Sequence, residues 1–415
     1  AFTAMNTVFG RFFDVRAQEL TDPAATVARP RFFILDAQTH HVPEGTPRVP
    51  ANQAFLDYLI QVRHFGGNWN PSLRDRVISP TELQRINYIK EIFLDSETDV
   101  AVVSGLPQLT RDSYVVSPEE MVRTRSWVNE LADSRRVLAQ GILSPELGKQ
   151  NEEAMIAQVE KLSIDSWKGY PGQPLGPNGE GWWLDDEKAA YPALQLSRKL
   201  GVKNICVHKG LPAPMFSAEH CHPRDVFQPA LDFPDLNFLV YHAGFHGVAG
   251  VMDAVQSEFE TSAEVPWVSD LCAWKNQHRD VQNVFMELGA TFGMTVITFP
   301  ILAGHMLGMM LQSFGEDHVL WGTDSVWWGS PQWQIEALRR FQIPESLCER
   351  FGYEPLTDAV RAKIFGLNAA RIFGVSTRAQ LGPVPDDYVE RLREMYRGSN
   401  LSTPSHLQYG WVSRA

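Results

Sequence analysis

Cysteine is scarce in this chain and never clustered. Cys206, Cys221, Cys272 and Cys348 are the four among 415 residues, and no two stand in CxxC spacing. That removes a zinc-finger ligand set and suits free thiols better than a disulfide framework. No apolar run approaches the roughly eighteen residues that a membrane-spanning helix needs. Positive charge is also short: the formal net charge of -12 denies nucleic acid the basic surface it requires. No GxGxxG follows the first strand-like run, so the open dinucleotide-binding sheet loses its main support. Low-complexity tracts are absent, and nothing repeats beyond an alternation of element types. These exclusions leave a soluble, cytoplasmic chain acting on a small molecule as the expectation. Because the first residue is Ala1 rather than Met, a targeting signal and export stay open.

What is present is a globular composition, 44% hydrophobic and 21% charged, with material for one large core or for two domains. Within it, apolar runs of strand length alternate with segments of helical period. The runs are FFIL at 32–35, then TDVAVVSG, RVLAQGIL, SIDSWKGY, KNICVH, LNFLVYH, QNVFMEL and DHVLWGTD. Eight strands alternating with helices imply parallel pairing, and the fold class is an α/β (β/α)₈ TIM barrel. A long insertion after the first strand, 41–80, is rich in Pro, Asn and aromatics and reads as an irregular lid or substrate wall. Residues 1–30 form an N-terminal arm, 31–375 the barrel, and 376–415 a C-terminal extension with one amphipathic helix, DDYVERLREMY.

Chemistry gathers where strands end. The first run is followed at once by Asp36, Gln38, Thr39, His40 and His41, His208 ends the fifth, His242 the sixth, and Asp324 follows the eighth. A parallel barrel keeps its reactive groups at the C-terminal ends of its strands. Adjacent histidines there are either metal ligands or plain polar caps. The order DxQxH, VHKG, VYHAG and WGTDS resembles the amidohydrolase superfamily, in particular its amidohydrolase-related branch, similar to aminocarboxymuconate-semialdehyde decarboxylase. The resemblance spans roughly 32–375.

That resemblance implies metal ligands at His40, His208 and Asp324, with Gln38 standing where the family usually has histidine and Glu287 as a further carboxylate. Gln38 is a neutral and poor donor, which weakens one bond unless His41 compensates. His242 and Asp324 become the catalytic proton carriers. Lys168 matches the place of a carboxylated, bridging lysine in binuclear relatives; as an ordinary ammonium it would bind a substrate carboxylate. Glu287 is either a ligand or a buried salt-bridge partner of Lys168 or Arg371. Lys209, Trp327 and Trp328 are expected at the substrate, with Arg224, Trp182, Trp183 and Trp333 near the mouth. For His220 and His222, an N-cap by His222 or a substrate contact is preferred to a metal site; GFHG around His246 is too rich in glycine to assume a helix.

The implied cofactor is a divalent metal ion, zinc or manganese before iron, one or two per chain. The implied activity is metal-dependent hydrolysis or non-oxidative decarboxylation of a small carboxylated, ring-bearing compound. Two alternatives stand beside it: a dinuclear iron or manganese/iron oxygenase, and a catalytically weak supporting subunit of a heteromeric complex. The expected partners are the small-molecule substrate and further copies of the chain in a homo-oligomer, with a heteromer as the alternative.

Overall fold

The computed structural model describes residues 6, 12–16, 30–45, 49–74, 77–176, 179–247, 252–376 and 387–399. Most of the predicted arm and extension lies outside them. Eight strands stand in chain order in one parallel sheet: β1 Leu35–Thr39, β2 Val100–Val103, β3 Val137–Leu143, β4 Ser166–Gly169, β5 Asn204–His208, β6 Asn237–Tyr241, β7 Val284–Glu287 and β8 Val319–Leu320. Backbone bonds from Ala37 to Trp321 O and from Asp324 to Gln38 O join the last strand to the first, so the sheet closes into the (β/α)₈ barrel.

Nearly every strand residue is buried on both faces, as a sheet wrapped by helices requires. Leu35, Ala37, Val102, Leu138, Leu239 and Leu320 fill the barrel interior. Its base is closed by the segment 358–373, where Gly366 passes so close to β1 that a Cβ would stand 2.5 Å from Phe33 O. Only glycine lets that helix seat against the strand.

The insertion after β1 is more ordered than the expected irregular lid. Pro50–Phe65 is a helix of 16 residues. Pro50 opens it, at a position where proline forfeits no intrahelical bond. Asn52, Phe55, Leu59 and Arg63 recur at helical spacing and turn one stripe inward. Burying Phe55 and Leu59 contributes roughly 1.5–3 kcal/mol each. Gly66 and Gly67 follow the helix, and a Cβ at Gly66 would stand 3.1 Å from Trp327 O. Arg63 locks this helix in place: its guanidinium bonds Glu91 at 2.5 and 3.1 Å, Glu82 at 3.2 Å and Val326 O at 2.5 Å. The helix is thereby tied to the loop after β8, which carries Asp324 and the two tryptophans.

Candidate active site

Strict alternation from Leu35 and Ala37 would aim Thr39 and His41 into the barrel. The register between β1 and β2 slips between Asp36 and Thr39 instead. Beyond the slip Gln38 and His40 face the mouth. Thr39 turns away to bond Val102 O at 2.7 Å, and His41 bonds Thr124 at 2.8 Å and lies against Tyr88. Burial holds the His41 imidazole down to about 3, so it is a neutral packing group and does not compensate for Gln38. On β6, Tyr241 points into the interior and His242 adopts a left-handed backbone, φ 61°, that brings its ring to the mouth as well. Asp324 shares that conformation at φ 57°. Such backbone costs free energy for a residue with a Cβ and is concentrated at functional positions.

The four strand ends bring Gln38, His40, His208, His242 and Asp324 together at the inner end of one cavity of about 360 Å³. Each imidazole is oriented through its outer nitrogen. His40 Nδ1 lies 3.0 Å from Ser104 O, His242 Nδ1 2.9 Å from Gly289 O, and His208 Nε2 3.2 Å from Leu211 O. A carbonyl only accepts, so these outer nitrogens carry the protons and the inner ones are bare. Burial lowers the pKa of all three rings, that of His242 to about 4, and keeps them neutral.

The inner atoms then form a concentration of lone pairs. His208 Nδ1 is 2.9 Å from His242 Nε2, and His40 Nε2 is 3.0 Å from Asp324 Oδ1. The Gln38 amide stands between these pairs. Its Nε2 donates to Asp324 Oδ1 at 3.0 Å and faces His40 Nε2 at 3.2 Å and His242 Nε2 at 3.5 Å. Its Oε1 is buried without a hydrogen-bond partner beside Gly289, where a Cβ would meet it at 2.4 Å. A buried carbonyl oxygen left unpaired costs about 1–3 kcal/mol. Among the described residues, no group of three or more His, Cys, Asp or Glu side chains is arranged as a metal cluster. The donors stand instead as two pairs with the amide between them.

The remaining sequence candidates divide. Trp327 and Trp328 line the cavity, Trp327 stacked on His40 with ring centres 5.4 Å apart. Glu287 lies behind the site, where its carboxylate accepts from His242 N at 3.1 Å and Gly289 N at 2.7 Å. Burial pushes its pKa up to about 8. Lys168 is buried beneath the mouth with its Nζ 3.7 Å from the centre of the Tyr241 ring and 4.8 Å from that of Tyr170. It has no hydrogen-bond partner, and burial lowers its pKa to about 7. Lys209, expected at the substrate, points outward from the strand end. All three of its donors are used, on Asp225 at 2.7 Å and on the carbonyls of His220 and His222 at 2.8 and 3.2 Å. With His208 inward, its neighbour has to point away. His222 Nδ1 accepts from Arg224 N at 3.1 Å and so caps the next turn, and His246 packs its ring on Trp267.

Sequence reasoning passed over several wall residues. Phe55, Leu59 and Val62 come from the Pro50–Phe65 helix, and their spacing of three and four was the available signal. Tyr170 and Phe216, which flank His208, had no comparable signal.

A closed parallel barrel with histidines and an aspartate converging at the C-terminal mouth defines a class, the barrel enzymes that work at a strand-end polar cluster. A family model described as Amidohydrolase matches residues 110–375. The chain belongs to the amidohydrolase family, a family of enzymes. No curated protein matches it. Among solved structures it is similar to 2,6-dihydroxybenzoate decarboxylase from Rhizobium, with 15% identity, 83% of this chain and 99% of that one covered, and a TM-score of 0.42. It is also similar to 5-carboxyvanillate decarboxylase from Sphingomonas paucimobilis, at 14% identity, coverage of 83% and 100%, and a TM-score of 0.45. Dihydroorotase from Saccharomyces cerevisiae overlaps at 11% identity, coverage of 84% and 86%, and a TM-score of 0.44. These three overlaps are weak, and the family assignment rests on the match to 110–375.

Proposed function

We propose that this chain is a metal-dependent enzyme that removes the carboxylate from, or hydrolyses a bond in, a small ring-bearing acid, with decarboxylation the better fit. One observation carries the reading: three neutral imidazoles, each fixed by a backbone carbonyl, turn bare nitrogens toward one another and toward Asp324 at the inner end of an apolar cavity. Lone pairs at that spacing call for a positive charge between them. Outer-nitrogen bonds to carbonyls are also how ligand histidines are held. His40, His208, His242 and Asp324 would hold a divalent ion, and rotation of the Gln38 amide would add its orphaned Oε1. A nitrogen and oxygen set of this kind suits zinc or manganese, and iron after them. One ion fits better than two, because Glu287 is engaged by two backbone amides and Lys168 lies on two aromatic rings. The dinuclear oxygenase reading loses ground accordingly.

When bound, such an ion supplies Lewis acidity toward a carboxylate or carbonyl oxygen. The chain's own groups do the rest. Trp327 and the wall facing it orient the ring and exclude water. That environment favours a step in which a carboxylate leaves as uncharged carbon dioxide, and it withholds the water that hydrolysis needs. The bond between ring carbon and carboxylate breaks, its electron pair stays on the ring carbon, and a proton taken up from solvent and passed on by the second oxygen of Asp324 completes the product, while His242 keeps its one proton on Gly289 O.

The test is metal content by mass spectrometry on protein purified without chelator, for the native chain and Asp324→Ala. About one zinc or manganese per chain, lost in the variant, is expected. No metal in either protein would overturn the proposal and leave the supporting-subunit reading in its place.

A further inference from the structure

Three cations lie close to the cavity, and each is withheld from it. Arg63 spends its guanidinium on Glu82, Glu91 and Val326 O. Lys209 is closed in by Asp225 and two carbonyls. Lys168 faces the rings of Tyr241 and Tyr170, and it is Tyr170 that lines the cavity. The walls themselves are mostly apolar, with Tyr58, Tyr170 and the exposed Gln61 as the residues that bring a polar group to them. Phe55, Leu59, Val62 and Phe65 form one side, Trp327 and Trp328 another, and Leu211 and Phe216 come from the loop after β5. Among the described residues lining the cavity none is Lys or Arg, and the charged and imidazole groups all sit at its inner end.

Resting on the function proposed above, we infer that the substrate carries one polar head on an apolar ring and no second charged group. The head, a carboxylate, meets Asp324, the histidines and the ion they would hold. A second carboxylate on the far side of the ring would have to give up its water against Leu59, Val62 and Trp328, with no protein cation to receive it. An unpaired charge in such a place is strongly disfavoured. A methyl or similar group in the same position gains from burial. The volume of about 360 Å³ stands at the small end of ligand pockets, which run from roughly 300 to 1,000 Å³, and matches a single substituted ring.

The test compares p-toluate with terephthalate, which differ in bearing a methyl group or a second carboxylate at the far ring position. Binding is measured by tryptophan fluorescence and by calorimetry on the full chain as purified, and no turnover is required. We expect p-toluate to bind at least about tenfold more tightly, the equivalent of 1.4 kcal/mol. In Gln61→Arg, which places a guanidinium at an exposed lining position, the ratio should fall at least threefold through tighter terephthalate binding. Gln61 bears none of the chemistry, and its exposure keeps folding out of the comparison. Terephthalate binding as well as p-toluate, saturation by neither, or a ratio unmoved in Gln61→Arg would each overturn the inference. Failure of the proposed function is separate: it shows as a chain without metal, whatever the ratio of the two acids.

Discussion

The two ends of this barrel treat charge in opposite ways. At the base, Arg136 holds Asp387 with Nε at 2.6 Å and Nη2 at 2.8 Å and gives Nη1 to Asp99 O at 3.1 Å. Arg393 beside it reaches Phe93 O, Thr98 O and Glu390 at 2.6 to 2.7 Å. Every nitrogen of both guanidinium groups is used. At the mouth, buried polar atoms are left without partners, Gln38 Oε1 and Lys168 Nζ among them, and bare imidazole nitrogens confront each other. Satisfied networks give rigidity and a unique structure, whereas half-satisfied ones cost stability and persist where something else uses them. The base is therefore the satisfied end, and the mouth is the end where the proposed chemistry belongs in a parallel barrel.

Variants at the two ends should fail in different ways. The largest effect belongs to Asp324→Ala: loss of bound metal and, once a substrate is identified, a fall in kcat/KM of about a thousandfold or more, roughly 4 kcal/mol. Its urea midpoint should stay close to wild type, and a variant that unfolds instead would erase the distinction between the ends. Next comes Arg136→Met, which leaves the buried Asp387 carboxylate its bonds from Ser134 and Glu390 N but no cation, and should cost about 3 kcal/mol in urea unfolding with metal content unchanged. Third is a pH effect at the base. Burial raises the Asp99 carboxyl from 3.8 to about 6, against the pull of its backbone bond from Ile34 and the arginines nearby. A raised acid pKa means that ionisation opposes folding. The penalty is absent below the unfolded pKa, grows as pH rises through the window between the two values, and is complete above about 6. It amounts to no more than roughly 3 kcal/mol. Asp99→Asn has no such penalty, so wild type should lose stability relative to it between about pH 4 and about pH 7. A difference that is flat, or runs the other way, would show that the arginines keep Asp99 ionised throughout.

Much of this was legible in the residues, and the misses share a cause. All eight strands announce themselves as apolar runs, and His40, His208, His242 and Asp324 follow from the habit of parallel barrels to place reactive groups at strand ends. Direction was harder to read than position. Lys209 and His41 are next to inward-facing histidines and so turn outward, a consequence of alternation that their motif neighbours obscured. The slip in β1 and the left-handed backbone at His242 are departures from alternation, set by pairing with the neighbouring strand and by packing, and no local run of letters encodes them. The Pro50–Phe65 helix hides for another reason. Its inward stripe includes Asn52 and Arg63, polar residues that are buried only because Ser113, Glu91 and Val326 O wait for them from elsewhere in the chain.

Gln38 is where the two ends can be compared most finely, because the smallest change should make the mouth resemble a satisfied network. Its amide offers nitrogen to Asp324 and the histidines while its oxygen goes unpaired. Oxygen turned inward without a cation would meet the Asp324 carboxylate, so the present rotamer is the lesser of two costs. A bound ion reverses that balance, yet a neutral amide oxygen remains a weak ligand. Gln38→His replaces it with an imidazole, and affinity for zinc or manganese, read by competition with a chelator, should rise by about tenfold or more, roughly 1.4 kcal/mol. Gln38→Glu should also tighten binding, through charge. If neither variant binds metal more tightly than wild type, the amide is not within reach of the ion, and His40, His208, His242 and Asp324 hold it alone.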